Sequence, residues 1–97
     1  MIHEKRLDAY VQLRDELRNL DPDGGIRLHA WYRETKCFAF VNRSRAGYVI
    51  AVHRVKKAKK CMEVPGKRLD FKEFGSLDDA ASFLESIAAS PFEAYLY

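Results

Sequence analysis

The chain has 97 residues, 47% hydrophobic and 32% charged, which is the balance of one globular domain rather than of a disordered or fibrous chain. No apolar run approaches the roughly 20 residues of a membrane-spanning helix, and the residues after Met1 do not lead into the apolar core of a signal peptide. Two cysteines, Cys37 and Cys61, are too few for a disulfide scaffold, so a reduced, cytoplasmic protein with no membrane partner is expected.

The net charge of +3 conceals a steep gradient along the chain. Residues 26–68 hold twelve Lys/Arg against Glu34 and Glu63, whereas residues 1–25 carry a net −2 and residues 69–97 a net −5. A basic middle between acidic ends predicts one positive face.

In chain order, His3 to Leu20 reads as a first helix. Leu7, Tyr10, Val11, Leu13, Leu17 and Leu20 form one broad apolar stripe. Asp21-Pro22-Asp23-Gly24-Gly25 then stops it. Ile26–Arg33 alternates as a strand does, and Glu34-Thr35 is expected to close a two-residue hairpin with Lys36–Asn42. That register sets Trp31 opposite Phe38 and His29 opposite Phe40. Cross-strand partners share a face, so Ile26, Leu28, Ala30, Tyr32, Cys37, Ala39 and Val41 are assigned to the core side. Arg27, His29, Trp31, Arg33, Lys36, Phe38, Phe40 and Asn42 are assigned to the other side. A turn at Arg43–Gly47 leads to a third strand, Tyr48–Val55, whose register remains open by one residue. After a short strand at Cys61–Val64 and a turn at Pro65-Gly66, Arg68–Phe74 reads as the fourth strand. Ser76 caps a second helix with the apolar stripe Leu77, Ala80, Ala81, Leu84, Ile87 and Ala88. The aromatic tail Phe92–Tyr97 is expected to pack down, either as an edge strand or against a partner. The predicted fold is therefore α+β over residues 1–97: helix, antiparallel four-stranded sheet, helix (α-β-β-β-β-α), with both helices on the sheet.

Two features point towards a ligand. Arg54-Val55-Lys56-Lys57-Ala58-Lys59-Lys60 packs five cations into seven residues, a composition that binds phosphate backbones through counterion release. The plainer alternative is a solvated extension whose lysines protect an edge strand. In an up-and-down meander this run shares a rim with Arg33 and Lys36, while Arg43 and Arg45 sit at the opposite rim. The second feature is the mixed aromatic and cationic face of Arg27, His29, Trp31, Arg33, Phe38 and Phe40. It has the make-up of a single-strand stacking platform, with rings for bases and cations for phosphates. Burial under the first helix or the tail would instead make those rings core. A protein interface, where Trp, Tyr and Arg serve as anchors, is the third account.

Neither a catalytic nor a metal constellation is present. No Cys-x-x-Cys or His-x₃-His spacing exists, and nothing resembles a nucleophile elbow. Cys37 and Cys61 read as buried structural cysteines, and no cofactor is implied. The helix–strands–helix order resembles double-stranded-RNA-binding domains, and Lys56-Lys57-Ala58-Lys59-Lys60 is similar to the lysine-rich start of their last helix. Here Pro65-Gly66 and a further strand intervene before Ser76, so that family's RNA contacts are not transferred. Size, compactness and the lack of catalytic residues equally suit a small phage or mobile-element inhibitor of the anti-CRISPR or anti-defence kind, an analogy of type only.

The expected function is non-enzymatic binding of nucleic acid, single-stranded or RNA in preference, through Arg27, Trp31, Arg33, Lys36, Phe38, Arg54, Lys56, Lys57, Lys59 and Lys60. The alternative is a protein-binding inhibitor or adaptor using the same patch on an acidic or nucleic-acid-handling protein. The sequence leaves the oligomeric state open, a homodimer included.

Overall fold

A computed structural model describes residues 5–97. The elements run β1 (Lys5–Leu7), α1 (Tyr10–Arg18), β2 (Gly25–Tyr32), β3 (Thr35–Ser44), β4 (Gly47–Lys57), β5 (Glu63–Phe74), α2 (Leu77–Ile87) and β6 (Ala94–Leu96). They form one six-stranded sheet in the order β1-β6-β2-β3-β4-β5, in which all neighbours are antiparallel. The architecture is α+β, and the expected four-stranded sheet is corrected to six.

Both added strands are at the chain ends. The segment expected to open the first helix is instead a strand as far as Leu7, and α1 starts at Tyr10; the proposed helix start at His3 and Glu4 lies outside the described residues. Leu7 is fully buried as a strand residue, while Tyr10 and Val11 of the predicted apolar stripe are exposed. The helix therefore buries a narrower seam, Leu13 and Leu17, spaced four apart. The tail is not an edge. Residues Ala94–Leu96 insert between β1 and β2, pairing with Leu7 to Lys5 on one side and Leu28 to Ile26 on the other.

The first hairpin turns one residue earlier than expected, on Arg33-Glu34, with φ of 51° and 60°. Two left-handed residues match the twist of the flanking strands, which a two-residue hairpin loop requires. Pairing accordingly shifts: Trp31 faces Lys36 and His29 faces Phe38. Each partner moves by two residues, an even number, so the faces are unchanged for the residues that stay in the strands, whereas Arg33, expected on the open face, enters the turn. In the third strand, Ile50 and Val52 pair with Val41 and Ala39, which places Tyr48, Ile50 and Val52 on the core side.

The last strands also differ from expectation. What reads as a short strand, a Pro65-Gly66 turn and a fourth strand is one continuous strand, β5, with irregular pairing near His53. Proline lacks the N–H for a ladder bond, but β5 lies at the sheet edge, where one side needs no donor. Helix α2 begins as expected, the Ser76 hydroxyl accepting from the Asp79 N–H at 3.1 Å. Its buried residues Ala80, Ala81, Leu84 and Ile87 follow the predicted stripe.

One continuous core joins Leu13 and Leu17 of α1, Ala80, Ala81 and Leu84 of α2, and the Ile26, Leu28, Val41, Ile50 and Val52 face of the sheet. Arg14 ties the two helices together with a bidentate grip on Glu85 at 2.9 and 3.1 Å and a third bond to Asp78 at 3.2 Å. Truncating a core residue such as Leu17 to Ala removes about 2–5 kcal/mol of stability in sites of this kind.

Candidate nucleic-acid interface

Because both helices pack on the face of Ile26, Leu28 and Val41, the opposite sheet face carries no helix. Alternation sends Arg27, His29 and Trp31 of β2 there, with Lys36, Phe38, Phe40 and Asn42 of β3 and Val49, Ala51 and His53 of β4. The inserted tail extends it: Tyr95 pairs with Arg27, and Arg6 of β1 pairs with Tyr95. On the far side Phe71 of β5 lies beside Ala51. The readings that placed the first helix or the tail over this face do not hold; the tail widens it.

The centre of the face is an interlocked array of rings. His29 meets Phe38 edge-on at 5.1 Å, and Phe40 meets His53 edge-on at 5.6 Å, geometries that aromatic quadrupoles favour. Tyr95 joins His29 at 6.0 Å and Phe38 joins Phe40 at 6.1 Å. The Arg27 guanidinium lies over both Tyr95 (4.8 Å) and Phe38 (5.8 Å). Phe38 is consequently only 4% exposed, so it supports the face and does not present a ring to a base. The two histidines flank Phe38 from neighbouring strands and are kept apart by it.

Two hydrogen-bonded pairs polarise the edge of this array. The Tyr95 hydroxyl donates to Glu93 at 2.6 Å, which holds the Glu93 carboxyl below its ordinary range and raises Tyr95. Glu93 also stands 3.5 Å from His29 Nε2. Burial nevertheless dominates at His29 and lowers its pKa, favouring the neutral ring at neutral pH. Across the face, Lys36 donates to Glu63 at 2.7 Å, and this bond depresses the Glu63 carboxyl.

Trp31 and Phe71 are the two rings of this face most open to solvent, ahead of Tyr97. Trp31 is 57% exposed beside Lys36, and Phe71 is 45% exposed with the Arg68 guanidinium 5.2 Å from its ring centre. They lie on β2 and β5, three strand spacings apart, which at ~4.8 Å each is roughly 14 Å across the sheet.

The meander places the Arg33-Glu34 turn and the β4–β5 turn at the same end of the sheet. Lys57 pairs with Glu63, and beyond them Lys59–Cys61 forms one 3₁₀ turn. Lys56, Lys57, Lys59 and Lys60 are all exposed, and none makes an ion pair with a described residue. Cys61, expected to be buried, is exposed in this turn, while Cys37 is buried and its thiol pKa is raised by that burial.

The ten residues singled out in the sequence thus divide. Arg27, Trp31, Lys36 and Phe38 share the open face, and Lys57, Lys59 and Lys60 stand at its end. Arg54 pairs with Cys37 and so belongs to the helix-bearing side, as does Lys56 by alternation. Arg33 lies on the rim, 3.6 Å from Asp70 with its guanidinium over Tyr32. Asp70 and Tyr32 are hydrogen-bonded to each other, which lowers the Asp70 carboxyl and raises Tyr32. Sequence reasoning missed Arg6, Tyr95 and Phe71, and set Arg68 near the basic run without assigning it to this face. The aromatic tail was the available signal for Tyr95; the faces of β5 are scrambled by its irregular pairing.

No group of three or more His, Cys, Asp or Glu suited to a metal occurs among the described residues, and no helix among them is long and apolar enough to cross a membrane. Comparison with protein-family models, with curated proteins and with solved structures returns no match.

Proposed function

We propose that this protein binds nucleic acid without catalysis, single-stranded or RNA in preference, in a cytoplasmic setting. The open sheet face would receive bases, and the lysine hairpin would receive backbone. The observation that carries this reading is the exposure of Trp31 on a sheet face without a described helix, whose end bears Lys57, Lys59 and Lys60, none of them ion-paired with a described residue. Stacking of one base on such a ring is worth ~1–3 kcal/mol, and each neutralised phosphate adds a salt-dependent increment. Phe71 with Arg68 offers a second stacking place. Anisotropy of fluorescein-labelled single-stranded DNA, RNA and duplex, titrated at several salt concentrations, tests the reading. Saturable binding that weakens as salt rises and favours single strands supports it; no binding at low salt rejects it.

A second reading is favoured by Met62, which is 63% exposed in the lysine hairpin. An apolar side chain among cations suits a protein partner with an acidic rim and an apolar pocket. Association that persists at high salt with a protein, and none with nucleic acid, would establish that reading.

A further inference from the structure

At the end of the sheet away from the lysine hairpin, three arginines line one open-sided cavity of about 340 Å³. Arg18 closes α1, Arg43 lies near the end of β3, and Arg45 sits in the β3–β4 turn; Tyr48, Gly75 and Leu77 complete the part of the wall that matters here. No carboxylate lines it. From this arrangement we infer that the cavity is a binding site for a phosphate monoester, separate from the proposed nucleic-acid face.

The cavity is built rather than incidental. Gly47 has φ of +148°, and a Cβ there would fall 2.1 Å from the Phe74 carbonyl oxygen. Only glycine lets the β3–β4 turn press against Phe74-Gly75, and that approach brings Arg45 to the start of α2. Arg43 is held in advance of any ligand. It donates to the Tyr48 hydroxyl at 2.6 Å with its guanidinium 4.7 Å from the ring centre, and the same hydroxyl donates to the Leu17 carbonyl at 2.7 Å. Arg18 bonds Asp15 at 3.1 Å. Arg45 makes no hydrogen bond or ion pair with any described residue.

The opposite wall is the N-terminal end of α2, an eleven-residue helix whose first N–H groups lack helical partners, that of Asp79 being taken by the Ser76 hydroxyl. Of its first-turn acids, Asp78 is engaged by Arg14 at 3.2 Å, and neither Asp78 nor Asp79 lines the cavity. Three guanidiniums with one carboxylate between them are left with excess positive charge. A phosphate monoester, with close to two negative charges and three acceptor oxygens, satisfies forked donors of this kind better than a carboxylate does. The volume lies at the lower end of the ~300–1,000 Å³ typical of small-molecule sites, leaving room for a group beyond the phosphate itself. Such a monoester could be a free nucleotide or sugar phosphate, or the 5′-terminal phosphate of a strand.

The test is an amide ¹H–¹⁵N titration of the full chain at constant ionic strength, balanced with chloride. Inorganic phosphate and adenosine 5′-monophosphate are used as probes, followed by 5′-phosphorylated and 5′-hydroxyl oligonucleotides. Saturable shifts at Gly47, Gly75 and Leu77 are expected, weakened about tenfold in Arg45→Gln, whose exposed, unbonded side chain leaves the remaining spectrum unchanged. Tighter saturation by adenosine 5′-monophosphate than by inorganic phosphate identifies a small phosphorylated ligand. Preference for the 5′-phosphorylated oligonucleotide identifies a strand end. Non-saturating shifts, equal shifts with chloride, or undiminished binding by Arg45→Gln overturn the site. Where neither small probe saturates, oligonucleotide binding that is blind to the 5′ group and leaves these amides unmoved also overturns the site, while leaving the nucleic-acid face intact.

Discussion

The open face contains rings of two kinds, and the difference can be measured without knowing any ligand. Phe38 is 4% exposed beneath Arg27 and between His29 and Phe40, whereas Trp31, two pairs along on the neighbouring strand, is 57% exposed. Phe38→Ala removes a ring packed like core and leaves a cavity on a face that no helix can collapse into. The cost in comparable sites is about 3–5 kcal/mol, and one-sided packing sets the expectation at the lower end, about 3 kcal/mol. In a domain of this size each 1 kcal/mol moves Tm by about 4–8 °C, so Phe38→Ala should melt roughly 12–24 °C lower. Trp31→Ala removes a ring that is mostly in water, and surface substitutions usually stay within about 0.5 kcal/mol. Urea and thermal melts followed by far-ultraviolet circular dichroism on both variants make the comparison. Under the proposed function the oligonucleotide affinity of Trp31→Ala should fall while its midpoint holds. Equal destabilisation by the two substitutions, or a neutral Phe38→Ala, would refute the division into supporting and presented rings.

Replacing Lys56, Lys57, Lys59 and Lys60 together by Gln should leave stability within about 0.5 kcal/mol. The same variant should flatten the slope of log affinity against log salt by about 3 for a single strand, if each lysine meets one phosphate. The His29 pKa is lowered by burial, so the unfolded chain takes up the proton first as pH falls. The stability contributed by the neutral ring is present above the unfolded value of about 6.5 and is lost as pH drops below it towards the folded value. Urea midpoints of His29→Gln should therefore lack the decline that the unsubstituted chain shows between pH 6.5 and the carboxylate range, where Glu63, Asp70 and Glu93 add their own acid-side loss. Gly47→Ala should destabilise by at least about 1–3 kcal/mol, since it combines a disfavoured φ with a clash against backbone; an unchanged melting temperature would contradict the turn geometry.

The sheet faces were legible because side-chain alternation within the strands survives a displaced turn. Nothing at Arg33-Glu34 advertises the left-handed pair that the turn uses, for neither residue is Gly or Asn. Displacing a two-residue loop by one position changes each pairing by two residues and leaves every side chain still in the strands on its own face, while Arg33 passes into the turn. The same alternation could not reveal β1 and β6, which have only three residues each. Leu7 also lies at helical spacing from Tyr10 and Val11, so local pattern favoured a longer helix. What decides for a strand is pairing with Ala94, a contact across nearly the whole chain. Phe38 illustrates a further limit. Parity assigns it to the open face correctly, but its burial comes from Arg27 and two neighbouring rings, and cover by neighbours is not encoded in period. Conversely, the lysine run was plain from composition, while the sides of the rim that Arg54 and Lys56 occupy depended on the register of β4.

The proposed engagement of nucleic acid by the open face through Trp31 is tested most directly by the fluorescence of this sole tryptophan. Short single-stranded DNA, RNA and duplex would be titrated in at low and then physiological salt. Saturable quenching by single strands, with an affinity that falls as salt rises, is the predicted result. Tight binding with Trp31 emission unchanged would confine contact to the lysine hairpin and contradict the stacking face, and no binding at low salt would contradict the account as a whole.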